Sequence, residues 1–532
     1  MVSEARIYRA AANINSMAEL TPYPWIVQSM NILKVRGSIP PHPFRARGHL
    51  RRCEVMKKFL VFILLMIPFS VFAGQVGDNI EYAGFLKTEV WMRNNTDNNR
   101  QFLTSLKNTI DVAVEYEISD DWAFFVHPRY FYDFAYDLRD DDDFDRNQYK
   151  MGHTQRQEWL RDCYFDYTSD NLDLRLGKQQ VVWGQMDIPI LDRVMPWDLT
   201  NWFLPDLADM RIPLWMLKAE YSPQVNSTLQ FLMIPDFEQS RVAPPKAPFG
   251  MTAYNAFDDL LNSLPMALGG PAFLDSVRVD YDSPGQKLEN STFGLRWRSM
   301  IGNLEYTLNW LYGFSTSAYL YEDFRVQTMT FGPFRIGVDS YRTRRHKRTQ
   351  TAGFSFAKTF IEPGPFEGIT VKGELAYVHK EPTYYGTPGA WASTEPSDKY
   401  NWGIAIEKNI VKNWLVSFQF LQFVTDRETS VAPLTGAKTK VLDTATYGVL
   451  DKLENYYVLK VMTDFMHERL KPEVTCVVQE DGHGRIIPKV IFELMDNIWL
   501  KLGYAHFFGG PDTNNGEFRN RDQLMFEVKY TF

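Results

Sequence analysis

From residue 80 onward, apolar side chains recur at every second position over most of the chain. Ile110, Val112, Val114, Tyr116 and Ile118 form one such row, and Leu304, Tyr306, Leu308, Trp310 and Tyr312 form another. Shorter rows are Leu172, Leu174, Leu176 and Trp402, Ile404, Ile406. Opposite the first row, Asp111, Glu115 and Glu117 occupy much of the second face. A period of two places successive side chains on opposite sides of a strand, one greasy and one wet. Read this way, the chain holds 18 candidate strands, starting near residues 80, 103, 121, 154, 171, 213, 225, 290, 302, 346, 369, 400, 411, 453, 469, 485, 498 and 522.

The connections carry a second, independent pattern. Those after even strands are mostly short: Ser119-Asp120, Ser169-Asp170-Asn171, Ser222-Pro223-Gln224, Met300-Ile301-Gly302 and Asp496-Asn497. Those after odd strands are mostly long: 136–153, 184–212, 236–289, 316–345, 381–399 and 425–452. Bacterial outer-membrane barrels have short periplasmic turns and long outer loops. The sequence therefore predicts an all-β fold, a transmembrane antiparallel β-barrel of about 18 strands with both termini in the periplasm. The number becomes 16 if the two weak strands within 469–494 do not form. The longest connection, 236–289, is rich in Pro and Gly at its start and is read as an outer loop, with a short helix over Phe257-Asp258-Asp259-Leu260-Leu261.

The chain ends on a strand of the same kind. Leu524, Phe526, Val528, Tyr530 and Phe532 alternate with Glu527, Lys529 and Thr531, Met525 being the one exception. A barrel needs such a strand to close against its first, with the apolar face toward lipid. Phe526, Val528, Tyr530 and Phe532 form a row that resembles the signal read by the bacterial barrel-assembly machinery, an expected partner.

A second signal is internal. Met56-Lys57-Lys58 precedes the apolar run Phe59–Ile67, and Val71-Phe72-Ala73 precedes Gly74. A basic start, a short apolar core and a small residue at the cleavage site make a secretory signal peptide over 56–73, cut after Ala73. Residues 1–55 then read as an extension from a start codon assigned too far upstream, and 74–532 as the barrel.

Charge narrows the function. Residues 1–73 hold ten of the 57 Lys and Arg and three of the 65 Asp and Glu, so the chain from Gly74 carries 47 basic and 62 acidic side chains, a net of −15. Nucleic acid, which demands a basic surface, is excluded as a partner. Beyond the signal peptide no apolar run is long enough for a membrane helix. Cys163 and Cys476 are the cysteines of the processed chain, each on the apolar face of its strand and well apart around the wall. Two unpaired thiols are expected. No nucleophile motif, phosphate loop or His spacing suited to a metal is present. No catalytic residue, metal site or cofactor is expected.

Candidate functional residues come from the wet face and from one odd connection. On strand four, Trp159, Cys163, Phe165 and Tyr167 face out, while Arg156, Glu158, Asp162 and Asp166 face in; Arg161 breaks the alternation. On strand five Asp173, Arg175 and Gln179 face in. Both signs of charge on one inner surface suit either a polar lumen with a transverse field or a salt-bridged filler in a plugged barrel. The connection 184–212 is too apolar for an exposed loop, yet it carries Asp187, Asp192, Arg193 and Asp198, with Trp183 just before it and Arg211 near its end. A loop folded into the lumen needs both properties; a cap packed on the barrel top would share them. Two charge runs lie in other outer loops. The acidic run Asp137 to Asp145 suits divalent cations or a solvated loop. The basic run Arg342 to Arg348 suits lipopolysaccharide phosphates, anions inside the mouth, or a solvated rim.

Gly177-Lys178-Gln179 with Trp183-Gly184, then Pro196-Trp197-Asp198-Leu199 and Arg211-Ile212-Pro213, resemble a family of uncharacterised Gram-negative outer-membrane proteins grouped as a domain of unknown function. The family pattern has Asn-Pro-Leu-Asp where this chain has Met195-Pro196-Trp197-Asp198. The resemblance covers the processed chain, with its motifs in 174–213 and at the C-terminus. It implies an outer-membrane barrel often encoded beside resistance-nodulation-division-type exporters, and the handling of hydrophobic or lipid-like molecules. It supplies no catalytic residues. The expected function is an outer-membrane channel or transporter in contact with lipid and lipopolysaccharide, with a periplasmic or inner-membrane exporter as a further partner. A structural or adhesive barrel and a membrane-embedded hydrolase are the alternatives.

Overall fold

The computed structural model describes residues 74–94, 103–138, 159–243, 248–250, 272–316, 319–330, 335–387, 390–411, 413–426, 440–442, 449–450, 452–510, 513 and 515–532. The signal peptide, the upstream extension, Arg156, Glu158, the helix expected at Phe257–Leu261 and the acidic run beyond Leu138 lie outside these residues.

Eighteen strands form one closed antiparallel sheet. They are β1 (Ile80–Arg93), β2 (Leu103–Ser119), β3 (Trp122–Asp133), β4 (Leu160–Thr168), β5 (Leu172–Gln179), β6 (Leu214–Gln224), β7 (Ser227–Ile234), β8 (Thr292–Ile301) and β9 (Leu304–Phe314). The circle continues with β10 (Arg348–Thr359), β11 (Ile369–Thr387), β12 (Ala390–Val411), β13 (Trp414–Thr425), β14 (Leu453–Met462), β15 (Leu470–Gln479), β16 (Gly484–Met495), β17 (Ile498–Phe508) and β18 (Gln523–Thr531). Each pairs with the next along the chain, and β18 pairs with β1 from Phe85 opposite Thr531 to Arg93 opposite Gln523. The last residue is tied at both backbone groups: Gly84 N donates to Phe532 O at 2.7 Å and Phe532 N donates to Gly84 O at 2.9 Å. Unpaired backbone groups cost several kcal/mol each in hydrocarbon, and closure removes the edges that would carry them.

The two faces are inverted relative to a water-soluble barrel. Trp215, Phe231, Leu308, Phe354, Trp402 and Phe418 are exposed on the outside. Thr307, Ser355, Glu374, Asn401, Gln419 and Gln479 are buried on the inside. Lipid in place of water around each large apolar side chain contributes about 1.5–3 kcal/mol. On β18, Leu524 and Phe526 belong to the outer belt, whereas Met525 packs inward on a cluster with Trp91 and Phe507. No helix among the described residues is long and apolar enough to cross a membrane. The chain is an outer-membrane β-barrel. Cys163 and Cys476 are both free thiols.

The strand number is 18, as the sequence predicts, since both of the weaker strands, β15 and β16, are formed. The structure departs from the sequence reading in its long connections and gives the cause of one irregularity. The long loop expected over 381–399 is strand: β11 and β12 run on as a hairpin, with Pro382 opposite Pro396. Proline ordinarily argues against a strand because it lacks a ladder donor, and this pair hid the hairpin. The connections 236–289 and 316–345 carry a three-stranded sheet of their own, Ala272–Tyr281, Tyr319–Thr330 and Arg335–Arg345. Arg161 is the extra residue of a bulge, since His127 faces Asp162 while Pro128 faces Leu160. A bulge re-aims one side chain, and the Arg161 guanidinium points inward, donating to Ala208 O at 2.9 Å.

Candidate functional site

Between β5 and β6 the chain leaves the wall for 34 residues, 180–213. Pro189, Pro196, Pro205 and Pro213 remove ladder donors, and Gly184 sits at φ +110°, a conformation that a side chain would strain. What forms instead is irregular: a one-turn helix, Leu207–Met210, and a two-residue parallel pairing of Asp198–Leu199 with Arg241–Val242.

Three apolar clusters hold the segment. Trp183, Val194 and Met195 pack with Leu214 and Met216 of β6 and Leu232 and Ile234 of β7. Met186, Ile190 and Leu191 pack with Ala376, Ala405, Leu421, Val458 and Val477, on β11 to β15. Trp202 packs with Trp91 of β1, Ala505 and Phe507 of β17, and Phe518. β14, which carries Val458, lies nine strands from β5 in a circle of 18, so the segment spans the lumen to the far wall. The far wall has room for it. A Cβ on Gly353 would come within 2.1 Å of Leu191 Cδ2, and one on Gly403 within 3.0 Å of Ile190 Cδ1. Gly353→Val is accordingly expected to push Leu191 off the wall, with an overpacking cost of about 1–3 kcal/mol. Limited proteolysis in detergent reads this as faster cutting within 184–212; an unchanged digestion pattern would contradict the contact.

Polar latches reinforce the packing. The Glu374 carboxylate on β11 accepts hydrogen bonds from the backbone amides of Gln185, Met186 (3.0 Å) and Leu191 (3.2 Å). Asp187 exchanges two bonds with Gln419 of β13: its amide donates to Oε1 at 3.1 Å, and its carboxylate accepts from Nε2 at 2.8 Å. Arg193 pairs with Glu381, which Lys399 also approaches at 3.5 Å. Asp209 pairs with Arg129 at 2.6 Å and Lys87 at 3.7 Å, and Asp206 with Lys501 at 3.6 Å.

Two cavities flank the segment. One, of about 440 Å³, lies against β1–β4 and β14–β18 and is lined by ten basic and seven acidic side chains. The other, of about 270 Å³, lies against β6–β16 and has Ile188, Val194, Trp197, Trp202, Phe237 and Phe423 among its apolar lining residues. Ile188, Phe203 and Arg485 line both.

The inward segment perturbs two of its own carboxyls in opposite directions. Burial opposes ionisation of Asp209, but Lys87 and Arg129 outweigh it and hold the carboxyl well below its ordinary range. Burial pushes Asp192 up to about 6, against the pull of Arg211, whose Nη2 lies 2.6 Å away. The folded pKa of Asp192 thus exceeds its unfolded value. Its contribution favours the fold when protonated, and is lost as pH rises from the ordinary carboxylate range through about 6. Wild-type barrel is expected to unfold at a higher urea concentration at pH 5 than at pH 7, and Asp192→Asn is expected to flatten that difference. An Asn variant with the full pH step would contradict the assignment.

The structure places the other sequence-derived candidates as follows. Trp183 is 1% exposed and donates from Nε1 to Gln230 Oε1 at 2.7 Å. Asp187, Asp198 and Arg211 line the larger cavity, and Asp192 and Arg193 the smaller. Asp198 also accepts from its neighbour, Thr200 N, at 3.0 Å. Arg175 forks onto Asp166 (2.6 and 2.7 Å), and Asp162 meets His127 at 3.2 Å; both pairs stand on the wall away from the two cavities. Phe526, Val528, Tyr530 and Phe532 are on the closing strand or just past it. In the basic run, His346 Nδ1 contacts Ser315 O at 2.8 Å, and Arg348 donates to Glu289 O at 2.6 Å and Ser291 O at 3.2 Å. Sequence reasoning missed the wall side of the site: Glu374, Glu381, Gln419, Arg129 and Arg485. The inward parity of Glu374, with Leu375 exposed on the outside, was the available signal. Among the described residues no group of three His, Cys, Asp or Glu is placed to hold a metal ion.

The model of a protein family of unknown function, DUF1302, matches residues 74–457. The chain belongs to the DUF1302 family. That match contains the whole inward segment and the wall residues Glu374, Glu381 and Gln419 that grip it, while Val458, Val477 and Phe507 lie beyond it. No curated protein matches this DUF1302 chain in sequence. Among solved structures, Acinetobacter baumannii OccAB4 is similar at 12% identity and a TM-score of 0.46, covering 85% of this chain and 98% of that one. Pseudomonas aeruginosa OccK1 (OpdK) is similar at 8% identity and a TM-score of 0.45, covering 86% and 100%. The outer-membrane channel DcaP of A. baumannii is similar at 10% identity and a TM-score of 0.39, covering 87% and 100%.

Proposed function

We propose that this barrel is an outer-membrane channel in which the inward segment 184–212 sets the narrowest part of a passive permeation path. One observation carries the reading. The segment reaches across the lumen yet leaves cavities of about 440 and 270 Å³ on its two sides, and these share Ile188, Phe203 and Arg485. A segment built only to fill the barrel would pack that volume with side chains. Its charged residues Asp187, Asp198 and Arg211 face one cavity, and Asp192 and Arg193 the other, so a solute would pass both signs of charge at close range. The aromatic closing strand is the part that the barrel-assembly machinery would read. The outer belt is the part that lipid and lipopolysaccharide would cover, and a periplasmic exporter would dock at the short-turn end. Purified chain from Gly74 onward, reconstituted in planar bilayers, tests the reading. Steady single-channel steps are the expected result. Silence from both the intact barrel and a variant lacking the segment would overturn it and favour a structural or adhesive role.

A further inference from the structure

The cations of the larger cavity are almost all paired. Lys87 and Lys107 share Glu89, Lys460 and Lys489 share Glu473, and Lys501 meets Glu527. Arg485, on β16, differs. It is 8% exposed, stands where the two cavities meet, and has no carboxylate within ion-pair distance among the described residues. Among the described residues its guanidinium makes one hydrogen bond, from Nη1 to Asn515 Oδ1 at 3.3 Å, and its central carbon lies 5.0 Å from the Phe203 ring centre. Asn515 cannot move freely to satisfy more donors, because the same oxygen accepts from Trp202 Nε1 at 3.2 Å. A guanidinium has five N–H donors in a rigid fork that fits a carboxylate with two parallel bonds. A buried cation left without an anion is costly in a folded protein, and an arriving anion removes that cost.

We propose that Arg485 is the binding residue for the carboxylate of a small organic anion passing between the two cavities, with the apolar body of the solute against Phe203, Ile188 and Trp202. The inference rests on the channel reading for its place in the path, but the binding site stands on Arg485, Asn515 and Phe203 alone. The surrounding charge favours the same sign of ligand: ten basic against seven acidic side chains line the larger cavity, and the acidic ones are engaged largely by the paired lysines and arginines. Apolar residues on both sides select a carboxylate with a hydrocarbon body over an inorganic anion.

The test is titration calorimetry on the detergent-purified barrel with three probes: benzoate, its neutral isostere benzamide, and inorganic phosphate. Benzoate is expected to bind roughly 10-fold or more tightly than either of the others. Arg485→Gln is expected to erase that preference, and Arg485→Lys, which keeps the charge and loses the fork, to retain part of it. Phe203→Ala, away from the β-ladder, is expected to weaken benzoate without restoring benzamide, which covers the case of a β16 variant that does not fold. Equal binding of benzoate and benzamide, preference for phosphate, or an Arg485→Gln barrel that still prefers benzoate would each overturn the proposal. Bilayer recording separates the two claims. A conducting barrel indifferent to benzoate and to Arg485 keeps the channel and removes the site. A silent barrel that binds benzoate through Arg485 keeps the site and removes the channel.

Discussion

Replacing residues 186–210 by two glycines is expected to raise single-channel conductance by roughly three-fold or more, because a barrel of 16–18 strands without a filler encloses a continuous aqueous channel. The segment leaves the wall after β5 and reaches Val458, half-way around the circle. Its removal takes away Ile190, Leu191, Met195 and Met210, all nearly fully buried, and with them the side chains that separate the two cavities. The wall should survive, because each strand keeps its neighbours on both sides and the belt facing lipid is untouched. Glu374, Glu381 and Arg129, stranded by the deletion, would face water in the widened lumen and lose nothing by staying charged. Unchanged conductance from a correctly folded deletion variant would refute the claim that this segment narrows the path.

Glu374→Ala is expected to have the second largest effect, with no residue of the segment altered. One carboxylate there accepts three backbone amides, from Gln185, Met186 and Leu191. Each buried N–H left without an acceptor costs about 1–3 kcal/mol. Three such donors together match the contribution of Met186, Ile190 and Leu191, about 1.5–3 kcal/mol each, packed on small wall residues such as Ala376 and Ala405. The segment should detach at this end, giving flickering, larger current steps and new protease cuts between Gln185 and Arg193. Glu374→Gln keeps one acceptor oxygen and should lie between the two. Quiet wild-type-like currents from the alanine variant would mean that the apolar cluster alone fixes the segment.

Much of this was legible in the sequence for one reason: a strand between lipid and water must alternate, and the alternation survives in the order of residues. Rows such as Leu304 to Tyr312 gave strands whose observed starts fall within a few residues of expectation, β9 at Leu304 and β13 at Trp414 among them, whereas the strand holding Trp402 to Ile406 starts ten residues early, at Ala390. The closing strand was legible too, since Phe526, Val528 and Tyr530 needed a partner and β1 was the free edge. The composition of 184–212 pointed at the segment itself, too greasy for solvent and too charged for a core. Its partners were not legible. Gln185 meets Glu374 across 189 positions and Asp187 meets Gln419 across 232, and inward parity says that Glu374 faces the lumen without saying what it meets there. Arg161 showed only a broken alternation, because a bulge erases the parity on which the reading depends. Arg485 was hidden for a similar reason. Its isolation is a matter of which carboxylates stay away, and spacing along a chain does not encode that.

The central claim is that a greasy, charged segment crosses the inside of a closed barrel and leaves a path beside it. A density map of the purified barrel in lipid nanodiscs tests it most directly. Density for Ile190 and Leu191 against Gly403 and Gly353, with open volume on either side near Arg485, is the result expected. A clear lumen with 184–212 lying above the rim would contradict it.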